Sequence, residues 1–218
     1  MSLKFKIGLF LYNFIYNFLE FLFFFTSYWW WKFTVLRTFH YFDKNSYRIM
    51  KSEKSAVTGL SERTFTYGET GALTTKLILQ EINPKKNALL YDLGCGRGSF
   101  LFAANFIFDL RGVGIEIFTP YTEIGRKLRK SLKTAGVSFR NENIADSEIS
   151  DADIVFCAGT TFDKPLIDTI VGKLKDLKMG AIVIFVHNQI KDEDFILINE
   201  GSFPFSWGTD KVYFYRKK

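Results

Sequence analysis

Residues 88–98, Ala-Leu-Leu-Tyr-Asp-Leu-Gly-Cys-Gly-Arg-Gly, combine an apolar run with an acid, Asp92, and three alternating glycines, Gly94, Gly96 and Gly98. A continuous apolar run of this length suits a strand covered on both faces. The glycines let the backbone turn sharply and approach a ligand with no side chain between. Residues 99–109 follow with helical apolar spacing, so the turn opens a helix whose first amides face whatever is bound. A dinucleotide fingerprint wants its third glycine where Ser99 stands, so that pattern fails. Asp92 would repel phosphate but can hold an ammonium. Eighteen residues beyond Gly98, the stretch Gly112-Val113-Gly114-Ile115-Glu116 ends in an acid placed to accept from both ribose hydroxyls. The ligand implied has a ribose, an ammonium and no phosphate, which describes S-adenosylmethionine.

The elements that position these groups alternate. Helix is expected over 70–82, 99–109, 119–134 and 163–178, and strand over 88–93, 112–117, 137–142, 153–158 and 181–186. Two further strands, 195–206 and 211–217, read as a hairpin around Gly208-Thr209-Asp210. The fold expected is α/β, a doubly wound, mostly parallel seven-stranded sheet with an antiparallel edge and a hydrophobic helix ahead of it.

Residues 67–218 resemble a class I, seven-strand methyltransferase dependent on S-adenosylmethionine. The resemblance implies that Asp92, Gly94, Gly96 and Gly98 hold the methionine part and Glu116 the ribose. It also implies that Asn143 meets the adenine amino group while Ile144 packs on the ring; many members have Asp where this chain has Asn143. The segment Tyr67-Gly68-Glu69-Thr70, and the ending Phe205-Ser206-Trp207-Gly208 with Val212-Tyr213-Phe214-Tyr215, are similar to the non-SET histone lysine methyltransferases. By that resemblance Tyr67, Glu69 and Thr70 line the cofactor. Where those enzymes place Asn and aromatic residues after strand four, this chain has Ala158-Gly159-Thr160-Thr161-Phe162, so the acceptor site does not carry over.

Methyl transfer needs a nucleophile positioned against an activated carbon, and a lysine amine must arrive neutral. Tyr67, Thr160, Thr161 and Phe162 are the candidates at the mouth, with Tyr67 and Thr160 as catalytic candidates. Thr160 and Thr161 serve equally well as caps of the helix starting near 163. Arg97 reads as pointing to solvent, Trp207 as a core or edge-strand anchor, and the basic helix at Arg126, Lys127, Arg129, Lys130 and Lys133 as a solvated face.

Residues 1–54 carry eight Lys/Arg against three Asp/Glu, leaving 21 against 20 in the remaining chain. Ile7 to Trp31 is apolar apart from tyrosines, Asn13, Asn17, Glu20, Thr26 and Ser27, long enough to cross a hydrocarbon core of about 30 Å, and closed by Tyr28-Trp29-Trp30-Trp31-Lys32. Asn13, Asn17 and Glu20 form one polar stripe, which suits a spanning helix with a partner or a helix in the interface. The organisation expected is an anchor over 1–31, a basic connector over 32–66 and a catalytic domain over 67–218. Membrane lipids and a protein substrate are the expected partners and nucleic acid is disfavoured, because the excess charge stays outside the catalytic part. Cys95 and Cys157 read as small buried residues of a reducing compartment, and no CxxC or HExxH spacing points to a metal.

The function expected is a membrane-anchored methyltransferase, its catalytic domain in the cytoplasm, acting on a protein lysine. Methylation of a lipid or quinone headgroup, and a non-catalytic module that binds an adenosyl ligand or a partner, are the rivals.

Overall fold

The computed structural model describes residues 3–41 and 68–218. The chain runs α1 (Leu3–Phe24), α2 (Tyr28–Tyr41), α3 (Ala72–Gln80), β1 (Leu89–Leu93), α4 (Ser99–Phe108), β2 (Arg111–Glu116), α5 (Thr119–Leu132), β3 (Val137–Asn141), β4 (Ile154–Cys157), α6 (Lys164–Leu174), β5 (Ile182–Val186), β6 (Phe195–Phe205) and β7 (Gly208–Lys217). The seven strands form one sheet in the order β3-β2-β1-β4-β5-β7-β6. Strands β1 to β5 are parallel and β7 is antiparallel to both neighbours.

Alternation along the strands sends side chains to two cores. Leu90, Ile154, Phe156, Ile184 and Phe214 face α4 and α5, with Phe100 stacked on Phe156 at 3.7 Å between centroids. Tyr91, Leu93, Val155, Val183 and Phe185 face the other way, toward Ile170 and Leu174 of α6. The doubly wound arrangement follows from this two-sided burial.

The apolar N-terminal run is two helices rather than one. Helix α1 stops at Phe24, Ser27 N–H donates to Phe24 O at 2.8 Å, and the Ser27 carbonyl accepts from Trp30 and Trp31 to start α2. The aromatic cluster expected to close a single helix therefore opens a second, and the boundary expected at 31/32 falls within it. Helix α2 packs onto the helices that cover the sheet: Phe33 is 4% exposed and meets the Phe102 ring at 5.6 Å, Trp29 stacks on Phe106 at 5.2 Å, and His40 Nε2 lies 3.2 Å from Ser131 Oγ. The polar stripe of α1 splits. Asn13 and Asn17 donate to Leu9 O and Asn13 O, whereas Glu20 is buried, accepting from Leu73 N–H at 3.3 Å and Trp30 Nε1 at 3.5 Å. Beside it the Tyr16 hydroxyl bonds Thr74 Oγ1 at 2.8 Å.

The terminal hairpin turns earlier than expected. Phe205 pairs with Gly208, so the turn is Ser206-Trp207, and Gly208 takes the positive φ of 132° that opens β7. Asp210, expected in the turn, is bonded instead to Nδ1 of His187 at 3.0 Å.

Candidate active site

Strand β1 delivers Asp92 and then the glycine turn at the carboxyl ends of the central strands, where open α/β sheets bind ligands. Gly94, Gly96 and Gly98 have φ of 78°, 54° and 87°. The turn is tied to β2 by Gly94 N–H and Cys95 N–H, which donate to Ile115 O at 2.9 and 3.0 Å. At Gly98 a Cβ would sit 2.5 Å from the Phe139 ring, so this position demands glycine for space as well as conformation.

Glu116 ends β2 with its carboxylate turned back to the turn. One oxygen accepts from Gly96 N–H at 2.9 Å and the other from Phe118 N–H at 2.8 Å. Burial pushes its pKa up to about 7, against the opposing pull of the Phe118, Gly96 and Ile117 amides. Burial, with the Glu116 charge beside it, also holds Asp92 well above the ordinary carboxylate range. Two buried acids so close favour a cationic ligand, whose charge would let both ionise.

Gly94, Gly96, Glu116, Asn143, Ile144 and Thr160 line a single cavity of about 330 Å³. Its other walls include Ile117, Phe118 and Tyr121, and Thr161, Phe162 and Trp207 stand with Thr160 around it. Asn143 Oδ1 accepts from Ala145 N–H at 3.0 Å, capping a turn of 3-10 helix and keeping a second lone pair. Asp92 and Gly98 flank the two lining glycines in the chain without lining the cavity themselves. Tyr67 lies outside the described residues.

Glu69 and Thr70 are also absent from the lining. Thr70 is buried, and Glu69 is a tie: its carboxylate accepts from Ser99 Oγ at 2.8 Å and lies 3.5 Å from Arg37 Nη1 and 4.0 Å from Arg97 Nη1. Its carbonyl accepts from Ser206 Oγ at 3.0 Å. Arg97 is buried, not solvated, with its guanidinium 5.3 Å from the Tyr121 ring centroid. Trp207 anchors the hairpin by stacking on Phe205 at 4.5 Å, and it is also a cavity wall. Thr160 and Thr161 do not cap α6. Asp163 does so, its Oδ1 accepting from Leu166 N–H at 3.1 Å, which leaves both threonines at the cavity. Among the described residues no group of three or more His, Cys, Asp or Glu could hold a metal ion.

The family model for the histone methylation protein DOT1 matches residues 59–203, more than half of the chain. The chain belongs to that family. It is a class I methyltransferase dependent on S-adenosylmethionine. A search of curated proteins returned no match. Among solved structures, the chain is similar to an RNA methyltransferase from Salinibacter ruber in complex with S-adenosyl-L-homocysteine, at TM-score 0.57 and 23% identity over 66% of this chain and 90% of that one. It is also similar to TrmN from Thermus thermophilus, at TM-score 0.59 and 11% identity over 67% of this chain, and it spans only 49% of that protein. A geranyl diphosphate C-methyltransferase from Streptomyces coelicolor A3(2) aligns at TM-score 0.56 and 12% identity, covering 67% and 75% of the two chains. These likenesses concern the fold.

The cavity suits the cofactor of a DOT1-family enzyme on its own chemistry: bare glycine backbone, the buried Glu116 carboxylate for hydroxyl donors, and apolar walls for a purine, with Asp92 buried just behind the glycine turn. When bound, S-adenosylmethionine supplies a methyl group on a sulfonium, already a good electrophile. The chain's own task is to orient an acceptor and keep water away.

Proposed function

We propose that this methyltransferase modifies a side-chain amine of a protein, a lysine, and works at a membrane to which its N-terminal helices attach it, with the catalytic domain on the cytoplasmic side. The observation that carries the acceptor class is the character of the cavity. Glu116 is its one charged side chain among the described residues, and the part formed by Thr160, Thr161, Phe162 and Trp207 offers hydroxyls and aromatic faces. An amine entering there loses its water, which favours the neutral nucleophile, while the hydroxyls can orient it and the rings can attract its cationic form during entry. A nucleic acid would meet no basic side chain among the described cavity residues. In this reading Asp92, Gly94, Gly96 and Gly98 hold the methionine part, Glu116 the ribose, and Asn143 with Ile144 the adenine. Thr160, on the cavity wall, stands nearest the acceptor, and Tyr67 is the second catalytic candidate by sequence alone.

Membrane attachment is supported by Ile7–Phe24, a stretch of α1 long and apolar enough to cross a bilayer by length and composition. The cytoplasmic side is supported by free thiols at Cys95 and Cys157, as a reducing compartment keeps them. The test is to incubate membranes and soluble extract with methyl-labelled cofactor and partition protein from lipid. Label in protein that hydrolyses to methyl-lysine is the result expected. Label confined to the lipid phase would refute the lysine assignment in favour of a lipid or quinone headgroup.

A further inference from the structure

Helix α1 shows two unlike faces. Tyr16, Glu20 and Phe24 point inward, held by Thr74, by Leu73 N–H and by the core around Trp30. Phe10, Phe14, Phe18 and Leu22, one stripe at four-residue spacing, point outward and are 70%, 64%, 51% and 47% exposed. Helix α2 likewise exposes Tyr28, Val35 and Phe39 on the side away from Phe33 and the core. Among the described residues nothing covers it, and its extent exceeds what singly scattered surface apolars explain.

Cations border it. On α3, Lys76 Nζ lies 5.0 Å from the centroid of the Phe23 ring. Helix α5 is seated against α2 through His40 and Ser131. Lys127 lies one helical turn before Ser131 on the same side, and Lys127, Lys130 and Lys133 are exposed. None of these three has an ion-pair partner among the described residues. Arg126 and Arg129 are engaged by the Phe139 and Thr134 carbonyls, and Glu123 is the one acid on α5.

We propose that the outer face of α1 and α2 and the lysine edge of α5 form a single docking surface for an anionic lipid bilayer, with α1 lying in the interface rather than crossing it. This rests on the membrane attachment proposed above and specifies its geometry. Crossing would carry Glu20 and Tyr16 into hydrocarbon, where an ionisable side chain is costly, and would strip them from Leu73 and Thr74 on α3. Lying flat keeps every one of those bonds, buries the Phe10–Leu22 stripe at the level of the acyl chains, and brings the α5 lysines to the headgroups.

The full-length chain, carrying an epitope ahead of Met1, is mixed with sealed vesicles of phosphatidylcholine alone or with phosphatidylserine, and floated. Binding should require phosphatidylserine, and the epitope should remain open to antibody without detergent. The double variant Lys127→Glu/Lys130→Glu should bind at least about tenfold more weakly, since each basic residue at such a surface contributes about fivefold. Its affinity for S-adenosylhomocysteine, measured by calorimetry, should stay at the wild-type value and so report an intact fold. Equal binding by variant and wild type would overturn the role of α5. An epitope protected until the vesicles are lysed would overturn the flat orientation while leaving membrane attachment in place. Failure of the wild type to float with any vesicle would remove the attachment itself.

Discussion

Asp92 and Glu116 end neighbouring parallel strands, 4% and 6% exposed, in a place with too little water to keep both charged comfortably. Glu116 has a pKa near 7 when folded, raised from 4.5. The folded chain therefore binds a proton more tightly than the unfolded one between those values, and its stability falls as pH rises through that window. The loss attributable to Glu116 is on the order of 3 kcal/mol at pH 8 relative to pH 4. Chemical denaturation of the ligand-free protein across this range should show it, with a smaller fall in Glu116→Gln. On the proposed pairing of Glu116 with the ribose, whose hydroxyls prefer the ionised carboxylate, cofactor affinity should strengthen as pH rises from 6 to 7.5. In Glu116→Gln that pH dependence should flatten and affinity should drop about tenfold or more, as expected for lost hydrogen bonds to a charged group. These acids and the glycines are legible in the sequence because positive φ and buried charge restrict residue type directly. Arg97 is not, since its burial depends on Tyr121, a ring brought alongside only by the folded α5.

At the scale of elements, the glycine turn is a joint between β1 and α4 with no tolerance for a side chain at its last position. Gly98→Ala would combine a φ of 87° with a Cβ placed 2.5 Å from Phe139. Strain in the left-handed region and overpacking together should lower stability by about 2 kcal/mol or more, read as a shifted denaturation midpoint with an unchanged slope. Most element positions are visible in the sequence, because buried parallel strands are uniformly apolar and the intervening helices keep their spacing. Two places escape that logic. Thr26-Ser27 breaks the N-terminal run, yet phenylalanines and tryptophans on both sides make the two helices look like one. The Ser206-Trp207 turn is likewise hidden, because Trp207 is the kind of residue a strand would use. Its position is set by stacking on Phe205 and by glycine at 208.

For the whole molecule, the sheet order and the two cores follow from alternating strands and helices, whereas the incorporation of α2 does not. A basic, aromatic stretch reads as a connector until Phe102 and Phe106 are seen to need Phe33 and Trp29 against them. A chain beginning at residue 42 should consequently unfold at lower denaturant than the full-length protein, or aggregate. Phe33→Ala in the intact chain should alone cost about 3 kcal/mol, both compared by tryptophan fluorescence. The Glu69 carboxylate adds a consequence for affinity. It is shared between Arg37 on α2 and Arg97 and Ser99 at the glycine turn, so the helix and the turn have one anionic partner in common. Linkage of this kind is reciprocal. On the docking proposed above, the expectation is one of matched affinities: a lipid-docked enzyme should hold S-adenosylhomocysteine more tightly than a free one, and a loaded enzyme should hold the bilayer more tightly than an empty one by the same factor, read by calorimetry with and without vesicles.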